Sequence, residues 1–179
     1  MGAGRKARRI EDYIPRLYGY AVSLSGDSHD AHDLVQETAL KALNAARAPS
    51  DEPAFRAWLF VILRNTWLDM VRRRGRRPEI SGTETRYEEI GGPAWVHDHS
   101  LISTLTVKLS LARLSPDHRD VLGLVDVSGF SYSEAAEILG IPEGTVMSRV
   151  ARGRVALLKQ IESGNVVNFP ATGRRQAAT

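Results

Sequence analysis

A chain of 179 residues with 42% hydrophobic content has material for one ordinary domain or two small ones, each with a packed core. It holds no run of about 18 apolar residues and no charged-then-apolar leader, which argues against membrane insertion and a signal peptide and for a cytoplasmic protein. Its 24 basic and 21 acidic residues nearly cancel, and its zero cysteines exclude disulfides, cysteine-ligated zinc and a thiol switch within the chain.

The charges are sorted into blocks. Residues 1–80 carry fourteen Lys and Arg against ten acids, and five of the positive charges fall within 72–77. Residues 114–143 carry one arginine against six acids, whereas 144–160 carry four basic residues and no acid. Such alternation suits several surfaces for several partners, at least one of them a polyanion.

In chain order, the spacing predicts a first helix over 11–24, with Leu17, Tyr20 or Ala21, and Leu24 on one side and Pro15 early enough to be tolerated. Gly26, Asp27 and Ser28 predict a turn with a capping residue. A second helix is predicted over 28–46. Its packed face is Ala31, Leu34, Val35, Ala39, Ala42, Leu43 and Ala46, and its opposite face carries Asp33, Gln36, Glu37 and Leu40. Two prolines and a Ser-Asp pair make 48–53 a loop. The third helix, over 53–73, turns Phe55, Leu59, Ile62, Leu63, Thr66 and Met70 toward the first two, and Trp58, Trp67 and Leu68 also read as core.

From 75 to 100 no period is sustained, although Trp95 is a candidate to dock. The division is therefore a helical unit over 1–75, a linker over 76–100, a second helical unit over 101–160 and a tail over 161–179 without helical period. The fold class is all-α, two small helical domains joined by a flexible linker and sharing little mutual interface, so that they rearrange at low cost.

The second unit opens with a helix from 101 to 111 or 113, followed by Ser115-Pro116 capping a helix over 117–127. The S-Y-S-E of 131–134 is a capping box for a short helix ending at Leu139-Gly140. Gly140-Ile141-Pro142 then turns the chain into a last helix over 143–159. A short capped helix, a tight glycine turn and a longer basic helix make a helix-turn-helix.

Two stretches carry chemistry. On the last helix Arg149, Arg152 and Lys159 lie within one face with Arg154 beside them, while Val146, Val150 and Val155 pack inward. A helix of this kind fits the major groove, its N-terminal half meeting base edges and its flanking groups clamping phosphates. A helix whose polar face merely happens to be basic is the plainer reading, and the capped helix and glycine turn ahead of it favour DNA. On the third helix five arginines within six residues repel one another, tolerably on a solvated end and most favourably beside phosphates. With Arg64, Asn65 and an aromatic-rich neighbourhood, that end suits single strands better than duplex.

Other chemistry fades. His29 and His32, and His97 and His99, have no third ligand at sensible spacing, so no metal is expected. There is no nucleophile elbow and no phosphate-cradling glycine loop, so neither catalysis, nor a cofactor, nor a small-molecule substrate is expected.

The stretches DAHDLVQETALKAL (30–43), FRAWLFVILRNTWLDMVRRRGRR (55–77) and LSPDHRDVLGLVDVSGFSYSEAAEILGIPEGTVMSRVARGRVALL (114–158) resemble conserved regions 2.2, 2.3 to 2.4, and 4.1 to 4.2 of the group-IV, extracytoplasmic-function sigma factors of bacterial RNA polymerase. The resemblance implies a promoter-specificity subunit that recognises the −35 element as duplex and stabilises the melted −10 element. It implies that Asp33, Gln36, Glu37 and Leu40 dock on the basic β′ coiled coil of core RNA polymerase, where opposite charge is physically sensible. It implies that Asn65 and the loop 47–51, including Arg47, hold a flipped −10 base, with Arg64, Arg72, Arg73, Arg74, Arg76 and Arg77 on nearby phosphates. Met147, Ser148, Ala151 and Arg152 would face −35 bases of promoter DNA, and Thr145, Arg149 and Arg154 would clamp its backbone. The acidic block would meet the β-flap, and an anti-sigma factor would wrap or wedge the two domains. Met147 and Ala151 stand where basic or larger side chains are common in the family, which shifts readout toward apolar and shape contacts. Two other functions compete. A stand-alone helix-turn-helix regulator leaves the arginine cluster and the acidic face without a job, and a sigma mimic that sequesters an anti-sigma factor needs no basic recognition helix.

Overall fold

Proline and glycine set the breaks between helices. The computed structural model describes residues 3–75 and 110–164. The predicted linker 76–100 with Trp95, Arg76, Arg77, His97 and His99, most of the helix expected from 101, and the tail beyond 164 lie outside the described residues.

The first unit has four helices: α1 (Ala3–Glu11), α2 (Ile14–Ser25), α3 (Ser28–Asn44) and α4 (Glu52–Gly75). The single helix expected over 11–24 is in fact two. Pro15 has no N–H to continue a ladder from Glu11, so it sits in the first turn of a new helix, and the chain kinks at Asp12 and Tyr13. Gly26 ends α2 in the left-handed conformation (φ 72°), and Asp27 caps α3 by accepting from the Asp30 amide at 2.9 Å. The helices close over Leu17, Tyr20, Leu34, Phe55, Phe60 and Leu63, all fully buried.

The periodic faces emerge largely as read, with informative slips. Ala31, Leu34, Val35 and Ala42 are buried on α3, but Leu43 is 40% exposed and Thr38 takes a core place by donating its hydroxyl to Leu34 O at 2.7 Å. On α4, Phe60 is buried while Ile62 and Met70 are half-buried, and Trp58, Trp67 and Leu68 are half-buried rather than core.

In the second unit a helical turn at 110–112 leads to α5 (Pro116–Leu122), α6 (Tyr132–Leu139) and α7 (Glu143–Gly164). Ser115 caps α5, and Ser131 and Glu134 complete both halves of the capping box on α6. The helix expected over 117–127 does not run through. After Leu122 it widens into a π-helical turn, Gly123–Val127, closed by the Ser128 amide on Gly123 O at 3.0 Å. Val155, expected to face inward, is 56% exposed, and Gly153 takes the buried place, with room for a Cβ only 3.2 Å from Leu122 Cδ1. α7 continues through Gly164, so residues 161–164 belong to the helix rather than to a tail.

The expectation of two domains with little mutual interface is corrected. α2 and α4 pack directly on the π turn, α5 and α6, and the buried side chains of both units form one continuous core. No helix among the described residues is long and apolar enough to cross a membrane.

Candidate nucleic-acid interface

The last two helices meet at a glycine turn. Left-handed Gly140 (φ 67°) turns α6 into α7, and buried Val146 and Val150 fix the roll of α7 on the unit. That roll leaves Met147, Ser148, Ala151 and Arg152 on the exposed side, with Met147 51% exposed. Arg152 folds back along its helix, donating to Ser148 O at 3.2 Å and to Ser148 Oγ at 3.4 Å. The two arginines expected to clamp phosphates are already paired with carboxylates of their own unit, Arg149 with Asp117 at 2.8 Å and Arg154 with Asp126 at 2.6 Å. These ion pairs hold both guanidinium groups at the rim of α7, and the Asp126 carboxylate raises the affinity of Arg154 for its proton. Thr145 is half-buried at the first turn.

On the first unit the predicted residues divide into three places. Asp33, Gln36, Glu37 and Leu40 line a single groove of about 360 Å³ between α3 and α4, joined there by Lys41, Thr66, Met70 and Arg73. Leu40 is 56% exposed in it. Lys41 orders one wall, donating to Thr66 Oγ1 at 3.0 Å and lying 3.5 Å from Glu37 Oε1. Thr66 and Met70 escaped the site reading because they were assigned to the core, and Lys41 was assigned to neither face of its helix.

The arginine cluster is splayed. Arg73 lies in that groove, Arg72 pairs with Asp69 at 3.1 Å, and Arg74 pairs with Asp30 of α3. Arg64 lies elsewhere, half-buried against the second unit, where its Nε donates to Asp120 Oδ2 at 2.8 Å. Asn65, its chain neighbour, is exposed, as is Arg47 on the loop after α3.

That loop is held by α1. Lys6, 8% exposed, donates to Leu43 O at 3.2 Å and to Ala45 O at 2.7 Å, where the last carbonyls of α3 lack helical partners. Arg9 donates to Pro49 O at 3.1 Å and to Glu52 Oε2 at 2.9 Å, with its guanidinium 3.7 Å above the Phe55 ring. Tyr13 donates to Glu52 Oε1 at 2.6 Å, and that hydroxyl with Arg9 holds the Glu52 carboxyl below its usual range. The i, i+3, i+4 and i+7 spacing of Lys6, Arg9, Ile10 and Tyr13 was the available signal, and the sequence reading, which began its first helix at residue 11, did not use it. Among the described residues no group of three or more potential metal ligands converges.

Residues 9–77 match the family model for sigma-70 region 2, and residues 105–157 match that for sigma-70 region 4. The chain is similar to the extracytoplasmic-function RNA polymerase sigma factor EcfG of Rhodopseudomonas palustris, 40% identical over 80% of this chain and 78% of that one. It is 37% identical to the sigma factor SigE of Mycolicibacterium smegmatis over 83% of this chain, and it spans 58% of that relative's length. Among solved structures it is similar to the sigma factor RpoE from Bartonella quintana, solved in complex with the anti-sigma factor NepR, at 31% identity and a TM-score of 0.65. That match covers 87% of this chain and 95% of the other. It also shares its fold with CnrH, solved in complex with the cytosolic domain of CnrY, at 24% identity and a TM-score of 0.63 over 90% of this chain and 95% of that one.

Proposed function

The chain belongs to the extracytoplasmic-function family of RNA polymerase sigma factors, and from that membership we propose a division of labour among its surfaces. The second unit reads −35 duplex through Met147, Ser148, Ala151 and Arg152, with Thr145, Arg149 and Arg154 on the flanking phosphates. The first unit docks on the β′ coiled coil of core polymerase through the α3–α4 groove of Asp33, Gln36, Glu37 and Leu40. Asn65, Arg47, Arg64 and the arginines from Arg72 onward hold the opened −10 strand. The acidic surface of α5 and α6 meets the β-flap. Phosphodiester chemistry belongs to the polymerase.

The observation that carries this reading is the presentation of α7. Met147, Ser148, Ala151 and Arg152 are exposed together behind a capped helix and a glycine turn, and Arg149 and Arg154 flank them in ion pairs, the arrangement that base readout between phosphate contacts calls for. Their present carboxylate partners are ones that phosphates can exchange for, since both ligands offer oxygen pairs to a guanidinium. The groove supports the second part, because acids around an exposed leucine suit a basic partner with an apolar centre. The RpoE–NepR complex supports an anti-sigma factor as a further partner.

Reconstitution of the purified chain with core polymerase on genomic DNA of its source tests the reading. Discrete run-off transcripts that vanish without the chain are expected, and an absence of both transcripts and core binding would overturn it.

A further inference from the structure

The second unit sits on the face of the first that carries Arg64. Asp120 of α5 receives two donors from the first unit: the Tyr20 hydroxyl on Oδ1, and Arg64 Nε on Oδ2 at 2.8 Å. The Arg64 and Asp120 side chains are only 23% and 14% exposed. Burial is the largest single influence on Arg64 and by itself would loosen its proton, but the charge and the hydrogen bond of Asp120, with smaller help from Tyr20 and Asp117, together leave the guanidinium more firmly protonated than usual. The Tyr20 hydroxyl is pushed well up by burial and by the same carboxylate, so it stays a donor. A carboxylate at this spot offers Arg64 what a DNA phosphate offers, an oxygen pair bearing negative charge at ion-pair distance.

The seat around this contact is close. Arg119 donates to Leu24 O at 2.9 Å, Arg56 donates to Ser128 O at 2.8 Å, and the Phe60 and Phe130 rings meet edge to face at 4.7 Å. A Cβ on Gly123 would lie 2.2 Å from Ser23 Oγ and 2.7 Å from Tyr20 Cδ2, both atoms of the first unit. A Cβ on Gly19 would lie 2.9 Å from Val127 Cγ1. Two glycines, one on each side, thus permit the approach. The contact is also incompletely satisfied, because the buried Nε atoms of Arg56 and Arg119 have no hydrogen-bond partner among the described residues. Such orphaned donors penalise the closed arrangement and lower the cost of leaving it.

From this geometry we infer that the opened promoter strand and the second unit compete for Arg64. Asp120 occupies it as a surrogate phosphate, and the closed chain withholds part of its strand-binding surface until the units separate. The inference rests on the reading of Arg64 as a strand contact.

The absence of cysteines allows spin labels at exposed His29→Cys and Ser133→Cys to report the distance between units in the full chain. Gly123→Leu wedges the units apart through atoms of α2, and Asp120→Asn removes the charge at nearly constant size. A single short distance is expected for the parent, and longer, broader distances for Gly123→Leu. A fluorescent single-stranded DNA pool of random sequence should bind Gly123→Leu and Asp120→Asn about five- to tenfold more tightly than the parent. Adding Arg64→Ala should remove most of that gain. Should Gly123→Leu lose helical signal, Asp120→Asn alone carries the comparison. Units already apart in the parent, unchanged strand affinity on separation, or a gain that survives Arg64→Ala would each overturn the competition. Transcription with core polymerase separates the two levels. Transcripts without a gain in strand affinity sink only the competition, and no transcripts from parent or variants sink the reading of Arg64 as a promoter contact.

Discussion

Arg74 grips Asp30 with both terminal nitrogens, at 2.6 and 2.7 Å, and so fastens the end of α4 to the start of α3. An arginine from a cluster that looked destined for phosphates therefore also staples two helices. Its hydrogen bonds hold the Asp30 carboxyl below the usual carboxylate range. A carboxyl depressed in the folded state stabilises the fold above its unfolded pKa, and that contribution disappears as pH falls through the lower folded value. Arg74→Ala should cost about 0.5–1 kcal/mol at neutral pH, a value discounted because Arg74 is 57% exposed. The gap between parent and variant should narrow below about pH 4. Urea melts at neutral and acidic pH check this, and a gap that does not change with pH would show that the pair contributes no such linkage.

Lys6 is a buried cation that donates to the Leu43 and Ala45 carbonyls. Lys6→Met keeps the stem and removes the donor. A loss of about 1–3 kcal/mol is expected, because backbone acceptors are left wanting. Faster amide exchange across 45–51 should accompany it, and unchanged exchange there would mean that the loop is held by other means.

The capping box on α6 has its own pH signature. The Ser131 amide and hydroxyl hold Glu134 below its ordinary value. Ser131→Ala should destabilise by about 1 kcal/mol at neutral pH. This penalty should shrink as pH falls below about 4.3, where the Glu134 carboxylate takes its proton in the unfolded chain and then in the folded one. Thermal melts across that range provide the measurement.

The α3–α4 groove and the α7 face should fail separately. Asp33→Lys with Glu37→Lys places like charge against a basic partner and should lower affinity for core polymerase about 100-fold or more. Binding of the second unit to duplex should be untouched. Arg152→Ala should do the reverse, lowering −35-dependent transcription about tenfold with core affinity unchanged. Equal loss of both activities in either variant would refute the division.

Much of the local structure was legible because its causes are local. The Ser131/Glu134 box, the Gly140 turn and the inward Val146 and Val150 depend on neighbours within a few residues, and the sequence displays them. The α3 stripe of acids around Leu40 follows from a 3.6-residue period, so its common exposure was readable, although the α4 wall that makes it a groove was not. Val155 was misplaced because hydrophobic periodicity favours a valine over the glycine two positions earlier. Gly153 is buried for a reason that no side chain advertises, the closeness of Leu122.

The residues alone determined helical units with two separated signatures, a basic helix behind a glycine turn and an acidic helix face, since periodicity, caps and charge are properties of short stretches. Tertiary packing alone decided which charges meet. Arg64 finds Asp120 across 56 positions, Arg74 finds Asp30 across 44, and Gly123 lets α2 approach closely enough for Tyr20 to join Asp120. Such pairings depend on how whole helices come to rest against one another, and an ion pair has no period from which its partner can be read.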